Sequence, residues 1–95
     1  MTLKERFDQC EDDFLEFKRV ENPPHPRPDI SALIVLDRLV PSVGQDIISG
    51  ADHDIVFLDI DCDDLNEAAS DADIQLLRRC GVHYSTEFGC LAMFV

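Results

Sequence analysis

Lysine and arginine are absent from residues 39–77, a stretch that carries ten carboxylates: Asp46, Asp52, Asp54, Asp59, Asp61, Asp63, Asp64, Glu67, Asp71 and Asp73. The whole chain has 8 Lys and Arg against 20 Asp and Glu, a formal net charge of −12. This shortage of cations argues against direct binding to DNA or RNA, because the phosphate-led term needs clustered Lys and Arg. It disfavours an anionic membrane surface for the same reason. No apolar run approaches the ~18 residues that span a bilayer.

Catalytic and metal signatures are missing too. Glycine occurs 4 times in 95 residues, with no Gly-rich phosphate loop and no G-x-S-x-G. The histidines His25, His53 and His83 lie in separate segments, without the spacing of a zinc site. Cys10, Cys62, Cys80 and Cys90 form no C-x-x-C pair. The N-terminal residues lack an apolar h-region, so a secretory signal is not expected. Free, buried thiols are then the expectation rather than disulfides. No enzyme, cofactor or metal is expected on these grounds.

What is present is a foldable chain. Hydrophobic residues make up 45% of it, unlike disordered acidic tails, which are poor in them. The length allows one domain, residues 1–95, with a thin core. Thr2 and Glu5 read as a capping box. Leu3, Phe7, Cys10, Phe14 and Phe17 then recur at helical spacing, predicting an amphipathic helix over residues 3–19. Its narrow seam resembles a coiled-coil seam and could pack on the rest of the domain or on a second copy. Pro23, Pro24, Pro26 and Pro28 make residues 21–28 a stiff connector.

The body, residues 29–95, begins with a segment apolar all round. A Pro28-Asp29 start and a Pro41 stop favour a helix there. Gly44 and Gly50 read as loop around the Ile47-Ile48 patch. Residues 54–61 read as a strand, with Val56, Leu58 and Ile60 on one face and Asp59 and Asp61 on the other. Residues 63–69 allow one or two helical turns. Ser70 and Asp73 read as a second capping box, opening a helix to Arg79 that Gly81 stops. A hairpin follows: residues 82–84, a turn at 85–88, and a strand over 89–95. The order α-α-β-α-β-β makes an α+β domain, a short antiparallel sheet with helices packed on it.

Several candidate sites are weak on inspection. Asp59, Asp61 and Asp63 mimic the start of a calcium loop, but Asp64 and Ser70 stand where Gly and Glu are needed. Weak divalent binding is the residual possibility. Asp52-His53-Asp54 reads as a turn before a strand, and His83 as a cross-strand neighbour. Cys80 has Arg78, Arg79 and His83 nearby, yet a helix C-terminus disfavours a thiolate. It reads as a core residue.

The acidic block can be a solubilising surface, a recognition face for a basic protein, or a nucleic-acid mimic. Carboxylates on alternate strand positions lie roughly 6–7 Å apart, of the order of neighbouring phosphates. Helix caps account for some of the charges. The possible recognition face comprises Asp59, Asp61, Asp63, Asp64, Glu67, Asp71 and Asp73, with Glu11, Asp12, Asp13 and Glu16 as a second row.

The segments 54–61, Leu76-Leu77-Arg78-Arg79-Cys80-Gly81-Val82 with Tyr84, and Leu91-Ala92-Met93-Phe94-Val95 resemble small acidic proteins encoded by bacteriophages and prophages. The resemblance covers about residues 47–95 and specifies no activity. It implies a bacterial cytoplasm and raises the prospect of a host-takeover or anti-defence inhibitor. The expectation is thus a non-enzymatic accessory protein that binds a basic, nucleic-acid-handling host protein. The alternative is a small assembly protein that homodimerises through the Phe7, Phe14 and Phe17 seam or the terminal strand.

Overall fold

A computed structural model describes residues 1–41, 46–85 and 91–94. It is an α+β domain with the element order α1 (Leu3–Gln9), α2 (Pro28–Leu39), β1 (Ile48–Asp52), β2 (Ile55–Leu58), α3 (Cys62–Ala68), α4 (Asp71–Arg79), β3 (Val82–Tyr84) and β4 (Leu91–Phe94). The four strands form one antiparallel sheet in the order β1-β2-β4-β3. β2 and β4 are therefore central, and β1 and β3 are the edges.

The two faces of the sheet differ. Val56 pairs with Met93, Leu58 with Leu91, Val82 with Met93 and Tyr84 with Leu91, so these side chains share the face that meets the helices. There they join Leu3 and Phe7 of α1, Ala32, Val35 and Leu36 of α2, Leu65 of α3 and Ile74 and Leu77 of α4. The opposite face carries Ile55, Phe57, His83, Ala92 and Phe94 by the same alternation. Its members lie outside the main core cluster, although Ala92 is buried.

The first expectation to be corrected is the long N-terminal helix. The Thr2 capping box forms, with Glu5 N–H donating to Thr2 Oγ1 at 3.2 Å and Thr2 N–H donating to Glu5 Oε1 at 3.0 Å. The helix nevertheless ends at Gln9. Two 3-10 turns follow, Glu11–Asp13 and Phe17–Arg19, with Leu15 between them at φ 62°. Glu16 would sit in the last turn of the continued helix, where the dipole opposes negative charge. The bent path also brings Phe14 edge-on to His83 and Phe94, with centroids at 6.2 and 5.7 Å. The aromatic seam is thus spent within the chain: Phe7 is buried and Phe17 packs against the core.

Residues 20–27 contain no helix or strand. Pro28 occupies the first turn of α2, where its missing N–H costs nothing. Ser31 is fully buried but satisfied: its Oγ donates to the His25 carbonyl and accepts from His25 N–H.

Residues 48–52 form an edge strand where a loop was expected. Gly50 and Asp52 are poor strand formers, and a register shift between Ile48 and Gly50 marks the irregularity. The hydrogen-bonding edge of β2 supplies what propensity does not. β2 itself stops at Leu58, shorter than residues 54–61. The expected turn at 85–88 and the start of the last strand fall largely outside the described residues.

Gly81 adopts φ 98° at the end of α4, and a Cβ there would lie 2.9 Å from Leu15 Cδ2. Gly81→Ala should therefore destabilise the fold by about 1–3 kcal/mol, the usual cost of forcing a side chain into this region. At Gly50 an added methyl meets Phe57 at 3.4 Å, an ordinary contact, so Gly50→Ala should change stability by no more than about 0.5 kcal/mol. Urea denaturation of the two variants checks the contrast.

Candidate acidic interface

The seven carboxylates of the expected recognition face fall on α3, the first turn of α4 and the segment joining β2 to α3. Asp59 follows β2 and is exposed; its N–H donates to the Ile47 carbonyl at 2.6 Å. Asp61 is not on a strand face, as the two-residue alternation suggested. It is the N-cap of α3, and its Oδ1 accepts from Asp64 N–H at 3.0 Å. A short side-chain acceptor at this position satisfies a helix N–H that would otherwise lack a partner. This cap lies three residues beyond the end of β2.

Asp63, Asp64 and Glu67 lie on the exposed side of α3, while Leu65 is buried. Asp63 and Glu67 are four residues apart, which places their Cβ atoms roughly 5–6 Å from each other. Asp59, Asp63, Asp64 and Glu67 have no side-chain ion pair or hydrogen bond among the described residues.

The remaining two members have partners, Asp71 from a fully exposed position. Asp71 lies 3.4 Å from Arg6 Nη2. Asp73 completes the second capping box, with its Oδ2 accepting from Ser70 N–H at 3.0 Å and its N–H donating to Ser70 Oγ at 3.1 Å. It also lies 3.3 Å from Arg38, and only 20% of its side chain is exposed.

Three arginines near this region, Arg6, Arg78 and Arg79, point inward. Arg6 donates to the carbonyls of Asn66 at 2.8 Å and Ala69 at 2.7 Å. It thereby satisfies acceptors at the C-terminal end of α3 that have no partner within the helix. Arg79 holds Asp13 Oδ1 through Nε at 3.2 Å and Nη2 at 3.1 Å, with both side chains 17% exposed. Gln75 donates to the other oxygen of Asp13 at 3.2 Å. Arg78 Nε donates to the Phe7 carbonyl at 3.2 Å, and its guanidinium lies 5.0 Å from the Phe14 ring centroid. Asp13 was expected in an exposed second row; no local pattern marks it as the partner of a residue 66 positions away.

The other candidates fall into place. His53 sits at the β1–β2 turn with φ 54° and is almost fully exposed, 3.5 Å from Asp52. Among the described residues no three His, Cys, Asp or Glu side chains converge as a metal site. Cys80 is buried, and burial raises its pKa to about 11, so its thiol is a core group rather than a nucleophile. No helix among the described residues is long and apolar enough to cross a membrane.

One cysteine departs from expectation. Cys62, the first residue of α3, is disulfide-bonded, whereas Cys10 and Cys80 are free. No single-sequence signal pairs distant cysteines outside a recognisable framework.

Comparison with protein-family models, curated proteins and solved structures finds no match to this chain.

A disulfide consumes two of the four cysteines in the sequence. Alkylation of the non-reduced, denatured protein should therefore label Cys10 and Cys80 and spare Cys62, which should be labelled only after reduction. Intact mass reads the difference; four labels without reductant would remove the bond.

Proposed function

We propose that this protein is a non-enzymatic, phage-type accessory protein that captures a basic, nucleic-acid-handling bacterial protein through the acidic surface at α3. The observation that carries the reading is the set Asp59, Asp63, Asp64 and Glu67, exposed carboxylates with no cation paired to them among the described residues. Asp61 and Asp71 border this set and add to its field. Asp73 serves the fold more than the surface.

Such a surface steers a basic partner during encounter and fixes its orientation. It suits a protein that resembles nucleic acid electrostatically, since α3 presents carboxylates at i,i+4 spacing. It repels nucleic acid itself. Inhibition of an anti-phage defence enzyme or another DNA-binding host protein is the form of this activity that the phage resemblance favours.

A bacterial cytoplasm belongs to the same reading. The Cys62 disulfide weighs against it, because such bonds persist mainly in oxidising compartments. Homodimerisation is the second reading. The Phe7 and Phe17 seam is spent in the core and no longer supports it. Its remaining support is the terminal strand, where Phe94 is 40% exposed.

Replacing Asp59, Asp63, Asp64 and Glu67 by Lys should abolish capture of basic proteins from nuclease-treated bacterial lysate. Replacing Asp52 and Asp54, at the distant β1–β2 turn, should leave capture unchanged. Raising the salt should weaken the wild-type complex, since exposed charges are screened over ~8–10 Å at 0.1–0.15 M. Equal capture by wild type and the α3 variant sinks the proposal.

A further inference from the structure

Residues 10–19 form a strap that crosses α4 and reaches the β3–β4 side of the sheet. It contains no α-helix, and Leu15 takes a left-handed conformation in its middle. Three kinds of contact hold it. Asp13 is gripped by Arg79 and Gln75. Leu15 N–H donates to the Arg78 carbonyl at 3.2 Å. Phe14 lies under the Arg78 guanidinium and edge-on to His83 and Phe94.

His83 is the unusual member of this cluster. Its ring stacks on Phe94 at 5.0 Å with an interplanar angle of 29°. Its Nδ1 is buried without a hydrogen-bond partner among the described residues. A neutral ring tolerates this by leaving that nitrogen unprotonated, as a bare acceptor. An imidazolium fares worse: both nitrogens then carry a proton, and burial of the charge outweighs the support that the Gly81 backbone gives it.

Among the described residues no free anion faces the ring. On α4 the charged neighbour is Arg78, of the same sign. On the strap, Asp13 precedes Phe14 but is bound by Arg79. On β4 the adjacent residues are Ala92, directly opposite, and Phe94. On β3, Tyr84 points to the other face.

We propose that the strap, residues 10–19, is a proton-released latch: protonation of His83 expels Phe14 and frees the strap while α1 and α4 stay folded. The latch is independent of the acidic surface at α3. Burial first, and Arg78 to a smaller degree, hold the His83 pKa below its ordinary value of 6.5, against an opposing contribution from the Gly81 backbone. The sign follows from that direction. The strap is fully held above pH 6.5, and its hold weakens as the pH falls from there through the lowered value.

Amide hydrogen exchange on wild type and His83→Phe, at about pH 7.5 and about pH 5.5, tests this in the range where histidine titrates. Rates are corrected for intrinsic pH dependence. In wild type, protection of residues 10–19 relative to 71–79 should drop on acidification, by up to about tenfold at a pH one unit below the ordinary histidine value. In His83→Phe the ratio should stay constant. An equal drop in both proteins, or no drop in wild type, overturns the latch. Should His83→Phe not fold, NMR titration of wild-type His83 decides: titration below the ordinary value with loss of the Phe14 contact supports the latch, and titration at or above it overturns the latch.

Discussion

The structure depends on three arginines that turn inward to hold the N-terminal segment. Arg6 reaches from α1 to the carbonyl end of α3, Arg78 from α4 to the Phe7 carbonyl and the Phe14 ring, and Arg79 from α4 to Asp13. The segment needs them. A seven-residue helix is too short to persist alone in water, and residues 10–19 add only 3-10 turns. Burial of Leu3 and Phe7 supplies the apolar part of the anchorage, about 1.5–3 kcal/mol for each such side chain. The guanidinium contacts fix which face of α1 meets the core and where the strap runs.

The same arrangement shapes the surface. A chain with 8 cations for 20 carboxylates has few to distribute. Committing Arg6, Arg78 and Arg79 to the interior leaves α3 without any cation to balance Asp63, Asp64 and Glu67. Acidity at that surface is thus partly a consequence of how the core is assembled. It costs stability through self-repulsion, which is tolerable for a recognition surface and unnecessary for a purely solubilising one.

Local chemistry made much of the fold legible. Both capping boxes, the Pro28 start of α2, the Gly81 stop of α4 and the strand at Val56 and Leu58 depend on neighbours within a few residues. The failures are non-local. α1 ends at Gln9 because Asp13 and Phe14 have partners on α4, β3 and β4. The strand at Ile48–Asp52 exists because β2 offers an edge. Asp61 alternates with Asp59 as a strand residue would, but its carboxylate is taken by the α3 N-terminus. Of the seven candidate contact residues, sequence marked the acidic character correctly and could not tell which were engaged: Asp61, Asp71 and Asp73 have partners, and Asp59, Asp63, Asp64 and Glu67 are left to the surface.

A double-mutant cycle between Asp13 and Arg79, read by urea denaturation of the wild type, Asp13→Ala, Arg79→Ala and the double variant, tests the anchoring most directly. The pair is bidentate on the arginine side and largely shielded from solvent. A coupling energy of about 1–3 kcal/mol is expected, as for partners within one buried network. A coupling no larger than about 0.5 kcal/mol, as for an ordinary exposed ion pair, would contradict the claim that inward-facing arginines hold the N-terminal segment in place.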